Sequence, residues 1–440
     1  MRLRIARDRF NIVSYFASII ALGSALLLLP WSWNGPVRLS LLDSVFTATS
    51  AVCVTGLIVV DTAQFSHFGQ IVIMLLIQFG GLGIVTFATL YIALPRRKVS
   101  LVTRSIIGDM FIDEVDSNPR HLVRNIVLTT FIIELIGFLL MQHRFRVVGV
   151  HDYGFAAMFH SVSAFCNAGF STFSTNLEAF TGDWILNLTI IMLIVLGGLG
   201  FVVVQDISEV FMRTKRHISY HSRIVLAMTG TLIFGGMAAY YILEYDGAYA
   251  TMTIPGKFLA ALFQSVTTRT AGFDTINQAA LSLPSVALTV FLMVTGGSPG
   301  STAGGVKTTT LFVAMAAAFK NHEDDGSITY DRGSIGANLV SRAFSVLAKS
   351  LVIIGAAFVL LLVLEGPRAR FENLLFEIVS AFGTVGLSRG VTAGLASASK
   401  VVVIATMFIG RIGLFAMAVS RSSRSVERYA EFPRENLLLG

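Results

Sequence analysis

Apolar residues gather along the chain into long, nearly uninterrupted runs that short polar segments separate. The clearest runs cover residues 12–29, 71–94 and 186–204. A run of about 18 or more apolar residues is long enough to cross about 30 Å of hydrocarbon. Because lipid offers the backbone no hydrogen-bond partner, each such run must be a helix. The pattern therefore predicts an integral membrane protein.

Four short strings within these apolar regions align without gaps and place one glycine at the same position. They are Ser50-Ala-Val-Cys-Val-Thr-Gly56, Ser163-Ala-Phe-Cys-Asn-Ala-Gly169, Val266-Thr-Thr-Arg-Thr-Ala-Gly272 and Ser380-Ala-Phe-Gly-Thr-Val-Gly386. A second signature follows each string: Gly80-Gly-Leu-Gly83, Gly197-Gly-Leu-Gly200, Gly296-Gly-Ser-Pro-Gly300 and Gly410-Arg-Ile-Gly413. Two signatures that recur four times in one order indicate an internal repeat.

Each repeat has the same three hydrophobic parts. A long first run covers 10–29, 123–142, 224–243 and 346–364, and a long last run covers 68–94, 184–211, 284–319 and 400–420. Between them lies a shorter segment, at 40–51, 154–165, 256–267 and 371–382. At about 12 residues this segment suits a re-entrant helix better than a span.

We therefore expect an all-α integral membrane fold of four tandem helix–pore-loop–helix repeats. The eight membrane helices would surround one ion pore with pseudo-fourfold symmetry. The repeats would occupy residues 1–95, 96–213, 214–322 and 323–440, with the N-terminus in the first and the C-terminus in the last.

The distribution of charged residues predicts the orientation of the chain in the membrane. Only 13% of residues are charged, and the formal net charge of +7 comes mainly from Lys and Arg near the termini and between repeats. The positive-inside rule then places both termini in the cytoplasm of a protein that spans the cell membrane many times. In this setting the basic charge indicates orientation in lipid, and no nucleic-acid partner is expected.

The loops on the opposite side are comparatively acidic. Acidic residues around an outer mouth would concentrate cations, although ordinary solvated loops explain them equally well. The residues concerned are Asp43, Asp61, Glu178, Asp183, Glu244, Asp246, Asp274, Glu365 and Glu372.

Irregular backbone at membrane depth survives only where protein buries it or where it lines a wet cavity. Four extended loops around one axis can replace the water shell of a cation with carbonyl oxygens. One glycine in every loop favours potassium over sodium, with one dominant ion site near these glycines. The alternative is that the glycines only allow close helix packing. The predicted filter residues are Cys53, Val54, Thr55, Gly56, Cys166, Asn167, Ala168, Gly169, Arg269, Thr270, Ala271, Gly272, Gly383, Thr384, Val385 and Gly386.

The last run of the third repeat cannot be one continuous helix, because five glycines and a proline interrupt it. Below a filter, this stretch, within residues 296–306, predicts an intramembrane gating loop, with a passive kink as the alternative. Its residues are Gly296, Gly297, Ser298, Pro299, Gly300, Ser301, Thr302, Ala303, Gly304 and Gly305. Lys307 resembles the lysine of a phosphate-binding loop, but Val306 stands where that motif requires glycine. We therefore expect Lys307 to stabilise the gating loop.

Two arginines lie at membrane depth, where a charge costs about 2.5 to 3.5 kcal/mol. Arg411 is expected to face the pore below the filter and limit ion occupancy electrostatically; the alternative is a salt bridge or carbonyl cap behind the pore. The side chain of Arg269 is expected to point backwards into supporting structure. Glu134 and Asp206 also lie in hydrophobic runs, without partners that the sequence identifies.

The two sets of signatures together resemble the Trk/Ktr/HKT superfamily of potassium transporters, and in particular its KtrB type. The resemblance runs from about residue 10 to Gly440. The HKT subgroup that prefers sodium has serine where this chain has Gly56. Leu414 departs from the family pattern, in which proline follows Gly-Arg-Ile-Gly.

The resemblance implies a gated potassium uptake subunit that sodium stimulates. It also implies a homodimer, with one pore per protomer, on a cytosolic ring of nucleotide-binding regulatory subunits of the KtrA type. Membrane lipid is the remaining partner, potassium is the expected metal ion, and sodium is an activator rather than a cofactor.

Two other function classes compete with this one. A coupled potassium symporter driven by sodium or protons would rock repeats around a site near the membrane centre, and such folds often have inverted rather than parallel repeats. An intramembrane hydrolase would need paired carboxylates or a serine and base. The sequence shows no such pair, and Cys53 and Cys166 are too few for a structural zinc site, so no enzyme activity is expected.

Overall fold

The computed structural model describes residues 2–93, 119–320, 326–331 and 333–413. Helices of the first repeat are α1 (Arg2–Leu27), α2 (Leu41–Val52) and α3 (His67–Ala93). Those of the second are α4 (Pro119–Val148), α5 (Tyr153–Phe165), α6 (Trp184–Leu199) and α7 (Phe201–Phe211). The short helices α2 and α5 lie where the sequence predicts re-entrant segments.

The third and fourth repeats have the same arrangement. The third contains α8 (Tyr220–Leu243), α9 (Ile254–Thr267), α10 (Leu283–Val294) and α11 (Thr308–Phe319). The fourth contains α12 (Ala337–Glu365), α13 (Phe371–Gly383) and α14 (Ser397–Phe408), which a π-helical turn at Ile409–Gly413 continues. The rest of the predicted last run, 414–420, and Leu414 with it, lie outside the described residues.

Three helices within the described ranges are each long and apolar enough to cross a membrane. They are Val123–Val148, Tyr220–Leu243 and Ala337–Glu365. The pair α6 and α7 forms a fourth candidate span that is bent by 105°. Shorter apolar helices at Val13–Leu27, His67–Gly83, Leu283–Val294 and Thr308–Phe319 occupy three of the four remaining predicted spans. The described part of the fourth, 400–420, contains α14 and its π-helical turn.

The bend between α6 and α7 corrects the prediction of one continuous run at 184–211. Gly200 breaks the helix with a φ of +89°. A Cβ at this position would lie 2.6 Å from the carbonyl oxygen of Pro299 in the interrupted helix of the third repeat. The amide of Phe201, freed by the break, donates instead to the carbonyl of Gly300 at 3.2 Å. The loop of one repeat therefore explains the broken helix of another.

Polar contacts join each repeat to the next and close a ring. Lys400 contacts Asp43 at 2.9 Å and so joins the last repeat to the first, and His67 contacts Asp152 at 3.0 Å between the first and second. The Thr181 hydroxyl donates to the Thr275 carbonyl at 2.6 Å between the second and third repeats. The third and fourth meet where Arg389 donates to the Ala279 carbonyl at 3.4 Å.

One small sheet adds to the expected all-α fold. Strands β1 (Ile328–Tyr330) and β2 (Gly333–Ile335) pair antiparallel between the third and fourth repeats. The Tyr220 hydroxyl donates to the Tyr330 carbonyl at 2.9 Å. This pair therefore packs against the start of α8, and its three-residue strands give too little hydrophobic alternation to be recognised in the sequence.

The two acidic residues in hydrophobic runs have polar partners. Glu134 accepts a hydrogen bond from the Gln78 amide at 3.2 Å, between the first two repeats. Asp206 pairs with Lys215 at 2.8 Å and accepts hydrogen bonds from the hydroxyls of Ser219 and Ser222. Both carboxyl groups therefore form polar contacts between separate segments of the chain.

In the first, second and fourth repeats, the first glycine of the second signature lies against the end of its own repeat's re-entrant helix. A Cβ on Gly80 would lie 2.0 Å from the Val52 carbonyl oxygen. The corresponding distances are 1.9 Å from Gly197 to the Phe165 oxygen and 2.0 Å from Gly410 to the Phe382 oxygen. The second signature thus lets the last helix of a repeat lie directly against the backbone that leads into its loop.

Replacing Gly80 with alanine is therefore expected to lower the thermal unfolding temperature of the purified protein, because overpacking a core costs about 1–3 kcal/mol. Gly83→Ala is the matched control, since its nearest neighbour would lie at an ordinary 3.5 Å. Melting curves in detergent compare the two variants. Equal unfolding temperatures for both would contradict the packing role of Gly80.

Candidate functional site

The glycines of the four aligned strings meet in one closed ring. A Cβ added to Gly56 would lie 2.4 Å from the carbonyl oxygen of Ala168, the residue before Gly169. The other three glycines have the same relation to the next loop. A Cβ added to each would lie 2.8 Å from the Ala271 oxygen for Gly169, 2.3 Å from the Val385 oxygen for Gly272, and 2.2 Å from the Thr55 oxygen for Gly386. Only glycine allows the four loops to approach so closely.

The loops share an unusual backbone conformation. Each ring glycine has a positive φ, between +70° and +97°. The residue two positions earlier also has a positive φ: Val54 at 55°, Asn167 at 59°, Thr270 at 68° and Thr384 at 51°. Such a conformation is uncommon for residues that carry a Cβ and costs energy. Its presence in all four loops indicates that the surrounding structure imposes it.

Hydrogen bonds to the preceding helices hold the four loops in this positive-φ conformation. The amide of Thr55 donates to the Ser50 carbonyl at 2.8 Å, and Val385 repeats this bond to Ser380 at 2.9 Å. Ala168 donates to the Ser163 carbonyl at 2.8 Å, and Ala271 to the Thr267 carbonyl at 3.0 Å. The loop amides therefore turn back towards the preceding helix. Within the described ranges, the carbonyl oxygens of Thr55, Ala168, Ala271 and Val385 accept no hydrogen bond.

A hydroxyl group at the end of each short helix fixes its loop from the side. Ser50 accepts a hydrogen bond from the Gly56 amide, and Ser380 from the Gly386 amide, both at 3.1 Å. Ser163 and Thr267 donate instead to the carbonyls of Phe170 and Phe273, at 2.8 and 2.7 Å. These four positions were not among the predicted site residues. The recurring Ser or Thr at the start of the strings was the available signal, shifted by one position in the third repeat.

The short helices α2, α5, α9 and α13 lead directly into these loops. The C-terminal end of a helix carries about half a negative charge. Four such ends next to one ring favour a cation there, and unpaired carbonyl oxygens can replace its water shell.

The predicted filter residues all lie in these loops or at the ends of the helices that enter them. Each is buried, from Cys53 at 0% exposed to Arg269 at 7%. The Nε atom of Arg269 has no hydrogen-bond partner in the described part of the chain.

The interrupted helix of the third repeat forms the predicted loop between α10 and α11. Thr295 and Val306 pair as an isolated parallel bridge at its two ends. The loop is buried throughout, except that Pro299 is half-buried. A Cβ on Gly304 would lie 2.2 Å from the Thr384 hydroxyl of the glycine-ring loop in the fourth repeat. The loop therefore reaches the ring itself.

The second repeat holds this loop mainly through hydrogen bonds to the loop backbone. The amides of Ser298 and Thr302 donate to the carbonyls of Gly198 and Gly197, at 2.9 and 3.2 Å. The Thr302 hydroxyl also donates to the Phe165 carbonyl at 3.2 Å. Lys307 donates from its ammonium group to the Ala303 carbonyl at 2.8 Å, within the loop itself.

Arg411 joins three repeats at this level. Its guanidinium group donates to the Thr302 carbonyl of the loop. It also donates to the carbonyls of Gly80 at 2.7 Å and Gly81 at 3.3 Å. The side chain is only 4% exposed. This geometry matches the carbonyl-cap alternative for Arg411, because its donors serve backbone carbonyls.

Comparisons with known proteins agree with this architecture. The family model described as "TrkH: Cation transport protein" matches residues 3–429. The Ktr system potassium uptake protein B of Bacillus subtilis is 38% identical over 95% of this chain and 94% of that protein. The potassium/sodium uptake protein NtpJ of Enterococcus hirae is 36% identical over 98% and 96%.

A solved structure supports the fold independently. The potassium transporter TrkH from Vibrio parahaemolyticus superposes with a TM-score of 0.74 at 18% identity, over 93% of this chain and 83% of that one. The family is one of cation transporters, not of enzymes. The chain belongs to the TrkH family of cation transport proteins and, within the Trk/Ktr superfamily, to the KtrB type.

Proposed function

We propose that the chain is the ion-translocating subunit of a gated potassium uptake system, with the glycine ring as its selectivity filter. The observation that carries this proposal is the set of unpaired carbonyl oxygens around Gly56, Gly169, Gly272 and Gly386, whose loop amides are bound elsewhere. Relatives named as potassium uptake proteins support potassium as the cargo.

The membrane potential can drive this uptake without a chemical step. One charge that crosses 100 mV gains about 2.3 kcal/mol, which corresponds to roughly 50-fold accumulation. A filter and a gate are therefore sufficient for concentrative uptake.

The gate in this proposal is the loop of residues 296–305. Its buried position, its contact with Thr384 and its link to Arg411 support a closed state in which the loop lies below the ring. Arg411 then acts mainly as a latch, and any effect of its charge on ion occupancy is secondary. Opening would break its bond to the Thr302 carbonyl.

The assembly belongs to the same proposal. The chain would form a homodimer in the cell membrane with both termini in the cytoplasm, and sodium would act as an activator. A cytosolic nucleotide-binding ring of the KtrA type would bind its inner face and bias the gate. The name "Ktr system" of the relatives supports a multi-subunit assembly.

Coupled symport with sodium or protons is the second candidate. The broken helices α6–α7 and α10–α11 favour it, because transporters with central binding sites use discontinuous helices. Purified protein in potassium-loaded vesicles decides between the two. A channel carries potassium under voltage alone, whereas a symporter requires the driving ion.

Gly56→Ser tests the filter. Serine at a φ of +92° and against the Ala168 oxygen would push two loops apart. We expect the ratio of potassium to sodium uptake to fall about tenfold or more, the equivalent of about 1.4 kcal/mol. Uptake is measured in cells that lack their own potassium transporters and that express the regulatory partner.

Gly394→Ser is the matched control, because a Cβ there meets no atom within 4 Å. It should retain the wild-type ratio. An unchanged ratio in Gly56→Ser, at normal membrane insertion, would contradict the filter. Absence of potassium uptake by the wild type with its partner present would contradict the potassium assignment itself.

Deleting residues 299–303 tests the gate. Without the obstructing segment, potassium flux should rise several-fold in vesicles that hold the membrane subunit alone. Arg411→Gln should raise flux about tenfold, since it removes at least one charged hydrogen bond of about 1.5 kcal/mol from the closed loop. Wild-type flux from both variants, at equal amounts of protein, would indicate a passive kink.

A further inference from the structure

Two opposite loops of the ring share a side-chain brace at one pair of equivalent sequence positions. The contact order around the ring is Gly56, Gly169, Gly272, Gly386 and back to Gly56, so the second and fourth repeats face each other across the axis. In both of these repeats a fully buried polar side chain on the short helix bonds to a serine just beyond the ring glycine.

The brace of the fourth repeat is formed by Glu377, on α13, which is fully buried. Its carboxyl group accepts from the Ser388 hydroxyl at 3.2 and 3.1 Å and from the Thr392 hydroxyl. Ser388 in turn accepts from the Gly390 amide at 3.0 Å. A side chain on the helix therefore fixes the loop arm that leaves Gly386.

His160 forms the corresponding brace of the second repeat, on α5, and is also fully buried. One ring nitrogen, Nδ1, lies 2.7 Å from the Ala156 carbonyl and must donate to it. The other, Nε2, lies 2.8 Å from the Ser171 hydroxyl and, in the neutral ring, accepts from it. Ser171 accepts from the Phe173 amide at 3.0 Å, as Ser388 does from Gly390.

The two braces occupy equivalent positions in the sequence. His160 and Glu377 precede their ring glycines by the same interval, and Ser171 and Ser388 each stand two positions after them. The first repeat has Thr47 and Ile58 at these positions, and the Thr47 hydroxyl donates to the Asp43 carbonyl of its own helix. The third repeat has Phe263 at the helix position, which offers no hydrogen bond. Its buried neighbour Gln264 bonds instead to Gln278, farther along the loop arm, at 2.7 Å.

We propose that Glu377 and His160 are positioning residues that set the ion selectivity of the ring. They hold two opposite loops at a fixed distance from the axis, through the arms beyond Gly386 and Gly169. Without a brace, the loop can move inward and surround the smaller sodium ion, which otherwise loses its water without adequate replacement. The proposal rests on the proposed filter and adds two residues that touch no ion.

The test measures potassium, rubidium and sodium uptake by purified protein in vesicles. Glu377→Leu and Ser388→Ala remove the fourth-repeat brace, and His160→Phe and Ser171→Ala remove the second. Each is expected to lower the potassium-to-sodium ratio about fivefold, the equivalent of one hydrogen bond of about 1 kcal/mol. Glu377→Gln keeps an acceptor at the same place and should retain the ratio.

Thr47→Val is the matched control, because it alters the same helix position in an unbraced repeat and should leave the ratio unchanged. The potassium-to-sodium ratio does not depend on how much of each variant folds. Ser388→Ala and Ser171→Ala also leave the buried acceptors on Glu377 and His160 in place. Wild-type ratios in both serine variants, together with a lowered ratio in Gly56→Ser, would overturn the brace but keep the filter. A wild type that does not discriminate between the ions would overturn the proposed filter itself.

Discussion

The structure depends on how the backbone amides of the four loops are hydrogen-bonded. An amide left unpaired at membrane depth costs several kcal/mol. Here the amides of Thr55, Ala168, Ala271 and Val385 bond to the preceding helix ends. The carbonyls on the other side remain unpaired and close to one another around the ring. A cation is the partner that can satisfy all of them together, so the same hydrogen bonds that build the loops also leave the carbonyls of the proposed ion site free.

Glycines also allow the backbones of neighbouring segments to lie in direct contact around the ring and in the layer beside it. The ring glycines each lie against the next loop, and Gly80, Gly197 and Gly410 lie against the ends of the short helices. In these repeats the position of the last helix is therefore tied to the conformation of its loop. In the third repeat, Gly304 of the interrupted helix lies against Thr384 of the fourth ring loop. A displacement of this segment can therefore act on the ring, which gives the proposed gate a physical connection to the proposed filter.

The sequence was sufficient for the elements whose signal is local and repeated. Short apolar segments before a glycine string predicted α2, α5, α9 and α13 to within two residues of their ends. The loop of residues 296–305 was recognisable because a helix cannot continue through Gly-Gly-Ser-Pro-Gly.

Features that depend on contact between distant segments were not recoverable in this way. The helix breaks at Gly200, where Pro299 lies beside it. The sequence of neither segment indicates this contact. The partners of Arg411 among the described residues are backbone carbonyls, which every residue has, so the sequence could not identify them.

Differences between the four repeats allow one segment of the pore region to be controlled separately from the others. Four identical repeats would give a ring whose loops respond alike, and no single segment could close it. Within the described residues the third repeat carries the long intramembrane loop, the fourth supplies Arg411, and the first supplies the glycine carbonyls that bind this arginine. The second repeat binds the loop backbone through the carbonyls of Gly197 and Gly198. The contacts that hold the loop therefore differ from one repeat to the next. In the proposed function, symmetry at the ring serves the ion, whereas this asymmetry one layer below would give a gate that a partner on one side moves.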